Sequence, residues 1–103
     1  MKAKIYNYKC WISETNTKTL KCTLKKFLSK SRFAVLDYSE HFFTPFGFSA
    51  NWLISESHLA VHTWPEEGKS YVELSSCNKL KQKVFVDMMK DTFNILASKT
   101  SEF

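Results

Sequence analysis

From residue 57 to residue 64 the chain alternates without a slip. Ser57, Leu59, Val61 and Thr63 fall on one side, and His58, Ala60, His62 and Trp64 on the other. That period of two predicts a half-buried strand. Lys2–Ile12, rich in Ile, Tyr and Trp, predicts a first strand, and Ser13–Thr17 a polar turn with capping residues. Leu20, Leu24, Phe27 and Leu28 then share one helical face with lysines opposite, and Ser29–Arg32 closes that helix. Phe33–Phe43 and Ser49–Ser55 read as strands around a Thr44-Pro45-Phe46-Gly47 turn. Pro65 through Gly68 turns the chain, and Lys69–Cys77 returns as a further strand. From Lys79 to about Ala97, Leu80, Val84, Phe85, Met88, Met89, Phe93 and Leu96 recur at helical spacing, predicting a second helix whose Met and Phe stripe is core.

The predicted order is strand, helix, a run of antiparallel strands, helix. An α+β fold follows: one antiparallel β-sheet with two helices packed on one face. The other face, aromatic and polar, is the expected surface for pairing with a second copy. With 103 residues, two glycines, two prolines and no repeat, the expectation is a single domain over 1–103. A domain of this size buries only about 60–70% of its unfolded surface and gains from a partner subunit.

No apolar run approaches membrane-spanning length, and Met1-Lys2-Ala3-Lys4 lacks a signal-peptide core, so neither membrane association nor export is expected. Cys10, Cys22 and Cys77 are odd in number and form no C-x-x-C pair, which points to a reduced, cytoplasmic setting. The net charge of +5 raises a nucleic-acid reading. The lysines behind it (Lys18, Lys21, Lys25, Lys26, Lys30, Lys79, Lys81, Lys83) lie on helix faces, where solvation is the simpler account. A sheet platform for single-stranded RNA ranks last for that reason, and no nucleic-acid partner is expected.

The candidate chemistry centres on Glu56-Ser57. A serine hydroxyl beside its own peptide carbonyl can attack it and cut the chain, leaving a new amino-terminal keto group. His62, five residues on, is a candidate for proton transfer. Cys77, twenty residues on, is carried back toward Ser57 by the turn at 65–68. The expectation is that serine, histidine and thiol converge on one end of the sheet. Two other readings rank below this. His58 and His62 would suit a metal only on a helix, so no metal is expected. A hydrolase with Cys77 as nucleophile lacks a Gly-rich oxyanion turn.

The run His41-Phe42-Phe43-Thr44-Pro45-Phe46-Gly47-Phe48-Ser49, then Ser55-Glu56-Ser57-His58, His62-Thr63-Trp64-Pro65-Glu66 and Cys77, resembles the prokaryotic S-adenosylmethionine decarboxylase family. The resemblance is close over about residues 41–77. It implies cleavage between Glu56 and Ser57 into a β chain of 1–56 and an α chain of 57–103, with Ser57 becoming a pyruvoyl group. That group forms a Schiff base with the substrate and stands in for pyridoxal phosphate as electron sink, with no metal. His62 then assists the elimination that completes processing, and Ser49 supports it. Cys77 protonates the substrate carbon, Phe43 stacks on the substrate, and Glu66 holds its ribose hydroxyls. The processed αβ unit is expected to be a homodimer feeding aminopropyl groups to spermidine synthesis.

Glu67, Lys69 and Ser70 after the Trp-Pro-Glu depart from the family pattern, as do Glu73-Leu74-Ser75-Ser76 and Asn78 around the cysteine. These positions bear on the substrate, and relatives acting on arginine or ornithine supply the alternative. A catalytically silent homologue serving as a binding or regulatory subunit is the non-enzymatic alternative.

Overall fold

The computed structural model describes residues 3–103, leaving Met1 and Lys2, the start of the predicted first strand, outside the described residues. The elements run β1 (Tyr6–Ile12), α1 (Thr17–Lys30), β2 (Val35–Phe42), β3 (Phe48–Ile54), β4 (Ser57–Trp64), a 3-10 turn (Pro65–Glu67), β5 (Lys69–Ser76), α2 (Lys79–Thr92) and β6 (Ile95–Glu102). The strands form one six-stranded sheet in the order β2-β3-β4-β5-β1-β6. Every neighbouring pair is antiparallel.

Both helices begin on asparagine caps. Asn16 Oδ1 accepts from the Thr19 N–H at 2.9 Å, and Asn78 Oδ1 from the Lys81 N–H at 3.0 Å. Helix α1 closes through Arg32, whose φ of 65° is left-handed, with the Phe33 N–H bonded back to the Leu28 carbonyl at 3.0 Å. That six-to-one bond satisfies a carbonyl the helix end would otherwise leave open.

The helices bury Leu20, Leu24, Phe27, Leu28, Phe85 and Met89 against one sheet face. That face presents Tyr8, Cys10 and Ile12 from β1, Trp52 and Ile54 from β3, Leu59 and Val61 from β4, and Val72 and Leu74 from β5. Phe27 links the two helices, its ring 5.9 Å from Phe85 and 6.1 Å from Phe93 in edge-on contacts. Among the described residues no helix lies over the opposite sheet face. Trp11, His62, Trp64 and Tyr71 lie there, with Trp11 5.5 Å from Trp64 and 5.3 Å from Tyr71, and the Lys69 ammonium 4.4 Å from the Trp11 ring.

The predicted second helix is corrected at its end. It stops at Thr92, Phe93 adopts extended angles, and Ile95–Glu102 pairs with β1 as an edge strand. Leu80, Val84 and Leu96, assigned to the core stripe, are exposed. The buried face of α2 is instead Gln82, Phe85, Val86 and Met89.

Candidate active site

Strand β4 decides where the chemistry can occur. Its register sets Ile54 opposite Ser57 and Ser49 opposite His62, so the β3–β4 connection is the two residues Ser55 and Glu56. Two-residue hairpin turns favour Gly, Asn or Asp where φ turns positive. Here Glu56 occupies that conformation, with φ 55°. Left-handed backbone in a residue bearing a Cβ costs about 1–2 kcal/mol, and it falls on the residue that supplies the carbonyl of the Glu56–Ser57 bond.

Ser57 is buried, 7% exposed, and its hydroxyl has no hydrogen-bond partner. A buried, unpaired hydroxyl is unusual and calls for an explanation. Readiness to attack the adjoining carbonyl provides one, so Ser57 fits as precursor of a keto group. Strand β5 returns so that His58 faces Ser75, which brings Cys77 level with the turn. The Cys77 thiol donates to Glu56 Oε2 at 3.5 Å. The thiol thus lies at the turn that carries the Glu56–Ser57 bond, in contact with Glu56.

The predicted convergence of His62 does not. Five residues along a strand span roughly 16 Å, and an odd spacing reverses the face. Ser57 points into the helix-covered core, while His62 lies on the open face toward the far end of the sheet. The same strand geometry separates His58 from His62 by roughly 13 Å, too far to share a metal ion.

At the far end His62 has its own cluster. Ser49 Oγ and His62 Nδ1 are 2.7 Å apart, which fixes the orientation of the imidazole. A cleft of about 350 Å³ opens beside them, bordered by Phe43, Phe46, Trp64 and Glu66. The Phe43–Gly47 loop is closed by the Phe43 N–H bonding the Gly47 carbonyl at 2.9 Å. Gly47 takes φ 114°, a conformation that favours glycine. Thr63 Oγ1 accepts from the Phe48 N–H at 2.9 Å and pins the loop to β4. Phe43, Ser49, His62 and Glu66 thus form one set and Glu56, Ser57 and Cys77 another, at opposite ends of one chain.

Phe46, Trp64 and Tyr71 line this region without having been singled out. Phe46 and Trp64 lay within the two quoted motifs, and Tyr71 could be placed only once the β4–β5 register set it opposite His62. The Tyr71 and His62 rings are 6.5 Å apart and nearly parallel. Burial, then the neighbouring Glu73 carboxylate, pushes the Tyr71 phenol above its ordinary value.

A family model described as S-adenosylmethionine decarboxylase matches residues 8–103. The chain belongs to the S-adenosylmethionine decarboxylase family. An S-adenosylmethionine decarboxylase proenzyme of Thermosipho melanesiensis is 37% identical over 62 residues, covering 60% of this chain and 48% of its own length. One of Acidithiobacillus ferrooxidans is 45% identical over 42 residues, 41% of this chain and 32% of that protein. The chain thus aligns with about half the length, or less, of these curated members of the family. In three dimensions it resembles the adenosylmethionine decarboxylase of Aquifex aeolicus VF5, with TM-score 0.80 and 16% identity over 98% of this chain and 88% of that one. At that identity the likeness concerns the family's fold: one antiparallel sheet with two helices.

Proposed function

We propose that this chain is a self-processing decarboxylase of S-adenosylmethionine whose electrophile is made from Ser57, within the synthesis of spermidine. The observation that carries the reading is the left-handed Glu56 beside the buried, unpaired Ser57 hydroxyl, with Cys77 against the same turn. Membership of the family, and the word proenzyme in its relatives' names, support it.

Ser57 Oγ attacks the Glu56 carbonyl carbon. The new C–O bond replaces the C–N bond, and the freed Ser57 nitrogen takes up the hydroxyl proton. The resulting ester then loses the Ser57 Cα proton, and Glu56 departs as a free carboxylate. Water adds to the dehydrated residue as its imine, ammonia leaves, and a keto group remains at the start of 57–103. When present, that keto group supplies the electron sink that decarboxylation of an α-amino acid needs.

His62 must act on that Cα proton, yet its own chain holds it roughly 16 Å away. A second copy related by a two-fold axis resolves this. In an isologous pair, whatever the His62 end of one copy brings to the turn of the other is returned in kind. The site then combines Ser57 and Cys77 of one copy with Ser49, His62, Phe43 and Glu66 of the other.

Within that site Phe43 offers its ring face to the sulfonium, a contact of about 0.5–2 kcal/mol. Glu66 accepts from the ribose hydroxyls, and Cys77, as a thiol, gives its proton to the substrate carbon once carbon dioxide has left. Release of labelled carbon dioxide from S-adenosylmethionine, arginine and ornithine tests the assignment. Release from S-adenosylmethionine alone is expected. Release from arginine or ornithine in its place would move the substrate to the alternative reading, and release from none would leave a silent binding subunit.

A further inference from the structure

We propose that the Glu56 carboxylate and the Cys77 thiol form a latch that holds the cleavage turn in its strained conformation until the bond breaks; the inference rests on the self-cleaving reading above. Two non-glycine residues have positive φ among the described residues, Arg32 and Glu56. Arg32 is accounted for by the helix end it closes, where the Phe33 N–H reaches back to Leu28. Glu56 has no helix end to serve. What holds its side chain is Cys77, with sulfur and Oε2 3.5 Å apart.

Cys77 is well placed to act as a fixed post. It follows Ser76, which is fully buried, and precedes Asn78, the cap of α2. The Asn78 N–H bonds Ser76 Oγ at 2.9 Å, and Asn78 Oδ1 takes the Lys81 N–H at 3.0 Å. The backbone on either side of Cys77 is therefore tied down, and a side chain clamped to it inherits that rigidity. Glu56, by contrast, sits in a two-residue turn whose geometry calls for a left-handed residue, a conformation that a residue bearing a Cβ holds only at a cost. The contact with Cys77 offsets part of that cost and keeps the turn closed beside Ser57.

The latch dissolves when it has served. After cleavage Glu56 is the end of the 1–56 chain, free of the turn, and the Cys77 thiol is released for the substrate. Glu56 is thus a positioning residue for processing, and Cys77 positions the turn before it meets substrate.

The test is the half-time of cleavage of freshly synthesised full-length chain, followed by denaturing electrophoresis. Glu56→Ala and Cys77→Ala remove the same contact from opposite sides, so either carries the test if the other fails to fold. Each should slow cleavage by about 5- to 30-fold, the rate equivalent of losing a strained left-handed residue. The double variant should be no slower than the slower single, because both changes break one interaction. Glu56→Gln, which keeps an acceptor oxygen at the same reach, should recover most of the rate, as should Cys77→Ser, which keeps a donor. Parent-like cleavage of Cys77→Ala, or effects that multiply in the double variant, would overturn the latch while leaving self-cleavage intact. A parent chain that never cleaves would sink the self-processing reading itself.

Discussion

If the catalytic residues come from two copies, two dead chains should rescue one another. The perturbation pairs Ser57→Ala with His62→Ala. The register puts these positions five residues apart on β4 and on opposite faces, a separation of roughly 16 Å that no imidazole spans. Ser57→Ala lacks the nucleophile and His62→Ala lacks the base, so each alone stays whole. In a mixed pair, one site receives both defects and the other receives neither, because the intact Ser57 of one copy meets the intact His62 of its partner. Random association of equal amounts makes about half of all pairs mixed, so about half of the His62→Ala chains should be cut and about a quarter of all sites restored. Coexpression with a distinguishing tag, followed by denaturing electrophoresis, reads the cut chain directly. Cutting confined to tagged His62→Ala chains is the expected pattern. If the mixture stays whole while the two chains demonstrably associate, His62 does not serve Ser57 across copies, and the two-copy site is refuted.

Further predictions concern the cleft and the fold. Glu66→Gln should lower kcat/KM by about tenfold or more, since hydrogen bonds to a charged group contribute about 1.5–3 kcal/mol; an unchanged kcat/KM would remove Glu66 from the substrate site. Arg32→Gly should relieve the left-handed cap of α1 by about 1 kcal/mol and raise Tm by roughly 4–8 °C, read by thermal melting; a fall would refute strain there. Burial raises the Tyr8 phenol, and burial with the nearby Glu40 carboxylate pushes Tyr38 up to about 12. Their folded pKa values lie above the unfolded value of about 10, so the stability they contribute is complete below that pH and drains away as pH rises toward 12. Melts stepped across about pH 9 to 12 should show the midpoint steady up to about pH 10 and falling above it, whereas a midpoint flat to the end would contradict these burial assignments.

Much of the fold was legible because side chains report burial. The β4 limits agree at both ends, since Leu59 and Val61 face the core while His58 and His62 do not. The α1 stripe of Leu20, Leu24, Phe27 and Leu28 is buried as its spacing predicts. Strand β6 was illegible for the opposite reason. Its residues after Ile95 are exposed, so no alternation marks them, and backbone pairing to β1 holds them in place. Ile95, Leu96 and Ala97 meanwhile prolonged the apolar run of α2 past its true end at Thr92. At the site, Cys77 was found by counting back along a hairpin. His62 was misplaced because nearness in sequence is not nearness in a strand, where each residue advances about 3.3 Å and reverses the face.

The central claim is that this chain breaks its own backbone at one bond and gains a ketone by doing so. Intact-mass analysis of the purified protein, with and without borohydride, tests it most directly. The account predicts two fragments, 1–56 and 57–103, whose summed mass is one water heavier and one ammonia lighter than the whole chain. Only the 57–103 fragment should take up hydride. An active preparation containing a single uncut chain with no reducible carbonyl would contradict it.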